Sequence, residues 1–370
     1  MDDYVLDARV EHVRNFVHIL TAVKLSRKQH ARVSVGERGL TIVSLDDSKS
    51  LQAQANFRAE VFRAYDVNLA AASHHHHAGT RRAGVSSHAA TFALALGPLI
   101  DVLSAFAPLD GEAELSLRWP DRDGRLLLSA RHVERGAPDR PLRGCTHAAV
   151  SPETVTAATS GDDDIVFRGE RNAFTLPTTT LREIVDDLDW PAAPVALEMR
   201  AHPTAHLAFA SEGKDTGGLR IDVDATGAGS RLSEFHCGEP GRWTYRHRFL
   251  KAAASVPTQL CAGGGGADGD AAPTMTRVAV GEGGMLKVVH LVHIARGGGA
   301  MGAGGFGGGG GAGATGASAR VSAQAGTGPT QQTGGTQRGT ATMVPVTFVA
   351  YPEAEEEEEE DGSDDGGGGR

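Results

Sequence analysis

The chain has 370 residues, 40% of them hydrophobic, and a formal net charge of −10. Between Tyr351 and Arg370, ten acidic residues stand against one arginine, so that stretch carries −9 and the rest of the chain only −1; this excludes an evenly acidic protein, and neither part is basic enough to announce nucleic-acid binding by composition. Cys145, Cys237 and Cys261 lie far apart with no CxxC pair, which argues against a disulfide framework or zinc site and for reduced thiols. Met1-Asp2-Asp3 runs into an alternating segment without the pattern of a secretory h-region, and no run of 18 apolar residues occurs, so no membrane span is expected.

The first predicted element is an alternating strand over Tyr4–Val10. From Glu11 to Leu25 the period becomes helical, with Val13, Phe16, Val17, Leu20 and Val23 on one stripe. Three short strands follow at Ala31–Val35, Leu40–Leu45 and Leu51–Phe57, and their tight turns argue for antiparallel pairing. Thr91–Leu96 is a strand and Pro98–Phe106 a short helix with proline in its first turn. Strands at Glu112–Trp119, Arg125–Val133 and Leu142–Val150 complete the half.

The same grammar then recurs. Asn172–Leu176 leads into a helix from Thr178 to Leu188 with Leu181, Ile184, Val185 and Leu188 on its stripe. Val195–Arg200, His206–Ala210 and Leu219–Val223 read as strands, then Trp243–Phe249 as a strand before a helix near Lys251–Ser255. Thr276–Val280, Met285–Ile294 and Val344–Tyr351 close the set. Strand, helix, three strands, four times over, predicts an α+β fold that reuses one unit. The Gly-rich run from about Gly297 to Ala341 has too little apolar surface to order itself and reads as a flexible linker. The Glu355–Glu360 block reads as a disordered acidic tail.

This order resembles the sliding-clamp fold of PCNA, and the residues resemble more closely the Rad-one type subunit of the nine-one-one checkpoint clamp. The likeness is carried by Ala8-Arg9-Val10-Glu11-His12-Val13-Arg14-Asn15, by Gly39-Leu40-Thr41-Ile42-Val43 with Ser50 to Ala55, and by Ala59-Glu60-Val61-Phe62. It continues through Leu181-Arg182-Glu183 to Asp189, Glu234-Phe235-His236-Cys237, Tyr245 to Lys251, and Val346 to Tyr351. Three stretches depart from the family: Ser73–His88, Gly263–Asp270 and the Gly-rich run, all between elements, where added length costs little closure entropy.

The resemblance implies clamp domains at residues 1–150 and 171–351, the second interrupted by the Gly-rich insertion. A connecting loop at 151–170 would lie beside a pocket for partner peptides, and residues 352–370 would form the acidic tail. It further implies a 1:1:1 nuclear ring with two related subunits, placed by a clamp loader around double-stranded DNA, which recruits checkpoint and repair proteins without a cofactor. The subunit contacts would use the strands Leu142–Val150, with Thr146, and Leu219–Thr226, with Val223. A clamp lumen is lined by helices whose cations offset phosphate charge without reading bases. Arg14, Lys24, Arg27, Lys28, Arg182 and Lys251 are the candidates, each of which reads equally as an ordinary solvated charge. The second helix carries Asp101 and no base, and the third carries Glu183, Asp186, Asp187 and Asp189 against Arg182, so the expected DNA contact is slight.

Two other readings compete: a homotrimeric processivity clamp, and a 3′–5′ exonuclease. A two-metal nuclease needs converging carboxylates, and Glu112/Glu114 and Asp222/Asp224 have one-residue spacing, but no His or Tyr motif follows either pair. The Asp162–Asp164 run reads as solvated loop. His74 to His77, four in a row with no other ligand at suitable spacing, read as low complexity rather than a metal site. No GxSxG or GxxxxGK[ST] occurs. No catalytic residue is assigned.

Overall fold

Short alternating segments joined by tight turns build antiparallel sheet, and the amphipathic segments between them are too short to stand alone in water, so they pack on it. The computed structural model describes residues 4–10, 12–72, 89–107, 113–121, 123–134, 142–150, 164–189, 193–213, 217–225, 230–256, 274–294 and 342–353. The chain begins with β1 (Leu6–Val10), α1 (Val13–Ala22), β2 (His30–Gly36), β3 (Gly39–Leu45) and β4 (Leu51–Arg58), then β5 (Ala64–Val67) and the single turn α2 (Leu69–Ala72). Next come β6 (Ala89–Ala95), α3 (Leu96–Phe106), β7 (Ala113–Trp119), β8 (Leu126–Glu134) and β9 (Leu142–Val150). The chain continues with β10 (Asn172–Pro177), α4 (Thr178–Asp187), β11 (Pro194–Arg200), β12 (His206–Gly213), β13 (Gly217–Asp224) and β14 (Glu234–Cys237). It closes with β15 (Gly241–Arg246), α5 (His247–Ala254), β16 (Met275–Val280), β17 (Leu286–Ile294) and β18 (Thr342–Ala350).

Among the described residues every strand pairing is antiparallel, in three sheets. Five strands run β5-β1-β7-β8-β9, nine run β14-β10-β16-β17-β18-β4-β3-β2-β6, and four run β13-β12-β11-β15. The nine-stranded sheet is continuous from the last part of the chain to the first because β18 pairs with β4, Val346 opposite Ala55 through Ala350 opposite Leu51. Tyr351 N–H extends this ladder to Ser50 O at 3.0 Å. The hairpin of β17 and β18 keeps its register from Leu286–Ala350 to Ile294–Thr342 although residues 295–341 intervene.

The helices pack in two pairs, α1 with α3 and α4 with α5. On α1 the buried residues include Val13, Phe16, Ile19 and Leu20, while Val17 is half-buried. The stripe is rotated toward Ile19 relative to the spacing expected from sequence. α1 also ends at Ala22, where Val23 turns and its carbonyl accepts from the buried Ser44 hydroxyl of β3. On α4 the expected stripe of Leu181, Ile184, Val185 and Leu188 is buried. In the first half, the Phe57 ring packs at a tilt against Phe16, centroids 4.5 Å apart, and Phe62, 6.4 Å apart. The β3 entrance needs glycine: Gly39 has φ +137°, and a Cβ there would stand 2.1 Å from Phe57 O.

Trp243–Phe249 is not one strand. The strand stops at Arg246 and the helix starts at His247, because Phe249, Leu250, Ala253 and Ala254 form a buried helical face that alternation hides. β5 and β14, four residues each and largely half-exposed at sheet margins, were too short and too polar to be read from the sequence.

One buried polar chain ties α5 to the sheet. His290, fully buried on β17, donates from Nε2 to Ala253 O at 2.7 Å, which leaves Nδ1 to accept from Thr276 Oγ1 at 2.8 Å. That bonding demands the neutral ring. Burial pushes its pKa down to about 4, and the Arg182 guanidinium acts in the same direction. A folded value below the unfolded one means the unfolded chain binds the proton first, so stability is constant above about pH 6.5 and falls as pH drops toward 4. Denaturant titrations of wild type should lose about 2 kcal/mol from this group between pH 7.5 and pH 5, and His290→Gln should show a correspondingly flatter slope.

Candidate functional site

A strand at a sheet margin leaves alternate N–H and C=O groups without a ladder partner, and a buried or completed ladder is where they find one. Among the described residues β9 is paired on one side only, with Thr146 opposite Ala130 of β8. Among the same residues β13 is paired only with β12, with Val223 opposite Leu207. Val223 is half-buried against the core and Leu219 is 36% exposed. The outer face of β13 is already ordered by charge: Arg220 donates to Glu198 at 2.9 Å and to Asp222 at 3.1 Å. The bond to Glu198, then that to Asp222, holds its guanidinium above the ordinary arginine range.

The six cations proposed for a lumen do not share one environment. Arg14 is exposed on α1, and Arg27 and Lys28 are exposed in the turn after it. Lys24, half-buried, reaches α3: its Nζ would lie 3.6 Å from a Cβ placed on Gly97. Arg182 is engaged by the end of α5, donating to Ala254 O at 3.3 Å, one of the carbonyls that a helix C-terminus leaves without partners, and to Val256 O at 2.5 Å just past the helix. Lys251 pairs with Asp189, and that bond lowers the Asp189 carboxyl and raises the lysine. Exposed acids, Glu183, Asp186 and Asp187, occupy the rest of α4. The sequence reading missed Arg248, exposed on α5, which reaches Ser48 Oγ at 3.3 Å and Asp46 at 3.6 Å and so bridges α5 to the β3–β4 turn.

Of the carboxylates weighed for nuclease chemistry, Asp222 is spent on Arg220 and lies 3.4 Å from His206. Asp224 is exposed at the end of β13. Glu114 is placed on β7, and Glu112, Asp162 and Asp163 lie outside the described residues. Asp164 is not simply solvated, as the loop reading had it. It forms an ion pair with Arg32, whose side chain is 12% exposed, and the next amide, Ile165 N–H, donates to Gln52 Oε1 at 2.9 Å. Asp164 and Ile165, the start of the described part of the connecting segment (151–163 lie outside the described residues), are thereby clasped onto β2 and β4, beside a crevice of about 220 Å³ lined by Lys28, Gln29, Arg32, Leu45 and Asp46. Among the described residues no three His, Cys, Asp or Glu side chains stand together as a metal cluster, and no helix is long and apolar enough to cross a membrane. His74 to His77, Cys261 and the segments 73–88, 257–273 and 295–341 lie outside the described residues, as does the acidic tail beyond Glu353. Cys145 is placed on β9, and Cys237 is a free thiol whose pKa burial pushes up.

The contrast between Arg14 and Arg182 is measurable. Arg182→Met leaves two carbonyls at the α5 terminus without their donor and should cost about 1–3 kcal/mol in chemical denaturation, whereas Arg14→Met should stay within about 0.5 kcal/mol of wild type.

No curated protein matches the chain in sequence. A family model does, the one described as Repair protein Rad1/Rec1/Rad17, over residues 5–255. That span runs from β1 through α5 and covers more than half of the chain. The chain therefore belongs to the Rad1/Rec1/Rad17 repair family, whose members are checkpoint clamp-type proteins with a PCNA-like fold.

Proposed function

We propose that this chain is a non-catalytic subunit of a heterotrimeric nuclear ring that encircles double-stranded DNA without sequence preference and presents a platform for checkpoint and repair proteins. The observation that supports it is an equivalence among the sheets. If the strand–helix–three-strand runs are four copies of one unit, then β5-β1-β7-β8-β9 corresponds place for place to β14-β10-β16-β17-β18, and β4-β3-β2-β6 to β13-β12-β11-β15. The nine-stranded sheet is then a five and a four joined at β18–β4. The isolated five ends at β9, the counterpart of β18, and the isolated four begins at β13, the counterpart of β4. Two similar domains, residues 1–150 and 171–351, are thus joined by one junction, and the same kind of junction is left half-made at each end of the subunit.

A chain that carries one half-junction of each kind builds a head-to-tail ring rather than a closed dimer. Retention on DNA would come from encirclement, because the helix layer offers few cations and the α4 surface is acidic. The clasped connecting segment and its crevice would stand beside the docking place for partner peptides. A loader is needed in this reading, since a closed ring cannot thread onto DNA without ends.

Proline has no amide hydrogen and cannot complete a ladder, yet a marginal strand tolerates it better than a central one. Thr146→Pro and Val223→Pro should therefore each abolish binding to one of the two companion subunits and spare the other, with the circular dichroism spectrum of the isolated chain preserved. Pairwise pull-downs decide the matter: if each variant still binds both companions, or both variants lose the same one, the half-junctions are wrongly placed.

A further inference from the structure

From Gly241 to Val256, over β15 and α5, the chain carries Arg242, Arg246, Arg248 and Lys251 and no acid. Side chains two apart on a strand share a face, so Arg242, Thr244 and Arg246 project together while Trp243 and Tyr245 pack on the core. Arg248 joins them at one ring: the Arg246 and Arg248 guanidiniums lie 5.8 Å and 5.1 Å from the Phe249 centroid. The side chains of Arg242, Arg246 and Arg248 are 52, 47 and 60% exposed. Their ion pairs among the described residues are long, 3.3 Å from Arg242 to Glu212, 3.6 Å from Arg246 to Glu353 and 3.6 Å from Arg248 to Asp46. A guanidinium has five N–H donors, so each can take further carboxylates. Lys251 differs, being turned to Asp189 beside the acids of α4.

The last described residues are fastened into the middle of this row. After β18, Tyr351 bonds Ser50, and a Cβ on Gly284 would stand 2.7 Å from the Trp243 indole and 3.5 Å from Pro352, so all three lie together. Glu353 N–H then donates to Thr244 O at 2.8 Å. Among the described residues β15 pairs as a strand only with β11, so Glu353 takes a carbonyl on its open margin, and the Glu353 carboxylate faces Arg246. Arg242 and Arg246 lie two residues to either side of Thr244, about 7 Å away along the strand. Residues 354–370 follow directly, with nine acids and one arginine, and Glu355–Glu360 are consecutive. Six extended residues reach about 20 Å, enough to pass from one arginine to the other. Exposed ion pairs are individually weak, but a segment tethered at Glu353 acts at an effective concentration on the order of millimolar.

We propose that Arg242, Arg246 and Arg248 form a docking surface for the chain's own acidic tail, which shields them from other polyanions. The tail enters at Thr244, and its first glutamates add to the single long ion pair of each guanidinium. Salt weakens the dock, since its contacts are exposed. The dock lies within one subunit and is independent of ring assembly.

A labelled peptide of residues 354–370 tests this in trans, added to the full chain with Glu355–Glu360 all changed to Gln and read by fluorescence anisotropy at low salt. That variant should bind the peptide saturably, and wild type, whose own tail competes, should bind it at least about fivefold more weakly. Adding Arg242→Gln, Arg246→Gln and Arg248→Gln to the Gln-tail chain should remove the binding while the circular dichroism spectrum is unchanged. Equal binding by wild type and the Gln-tail chain would show that the tail does not occupy the surface. Undiminished binding by the arginine variant would place the dock elsewhere, and either result overturns the proposal. Short duplex DNA should displace the peptide from the Gln-tail chain, and failure to displace it would overturn the shielding.

Discussion

The fold depends on one backbone constraint, that strand amides and carbonyls out of contact with water must be paired. The β18–β4 ladder meets it across nearly the full length of the sequence, joining residues near 350 to residues near 50 and turning a five-stranded and a four-stranded piece into one sheet. The surrounding ties serve that ladder. Tyr351 extends it to Ser50, Gln52 on the β4 side takes the Ile165 amide, Arg32 holds Asp164, and Arg248 reaches the turn at Asp46 and Ser48. Since β9 and β13 have no second neighbour among the described residues, the same constraint that closes the middle of the subunit leaves its two ends unfinished on the proposed reading, and that is its function.

Charge is distributed in keeping with a scaffold. Arginines are used largely to hold the protein itself together: Arg182 at the α5 terminus, Arg220 across β11 and β13, Arg277 between Glu170 and Glu234. Lysine and arginine on the α4–α5 pair are matched or outnumbered by Asp and Glu, so attraction to phosphate there is weak and would be screened further by salt. A ring that holds DNA by topology does not need more.

The architecture was legible in the sequence because period-two and helical stripes are long-range consequences of a single core, and nearly every element longer than five residues left one. The order of elements, the α4 stripe and the two candidate strands at 142–150 and 219–226 came from patterning and resemblance. What did not come through were contacts made by tertiary placement. Arg32–Asp164 spans 132 residues, and no spacing rule connects them. Arg182 sits on an amphipathic helix like any lumen cation, and only the position of the α5 terminus shows where its donors go. The β15–α5 boundary was misplaced because Trp243, Tyr245 and Phe249 alternate convincingly until the helical partners Ala253 and Ala254 are known to be buried.

Amide hydrogen exchange tests the central claim most directly, because it reads ladder completion strand by strand. In the isolated chain, β18 and β4 should be protected like interior strands, while the outward amides of β9 and β13 exchange fast. Addition of the two companion subunits should protect β9 with one and β13 with the other. Fast exchange in β18 and β4 of the isolated chain, or no change in β9 and β13 on assembly, would contradict the account.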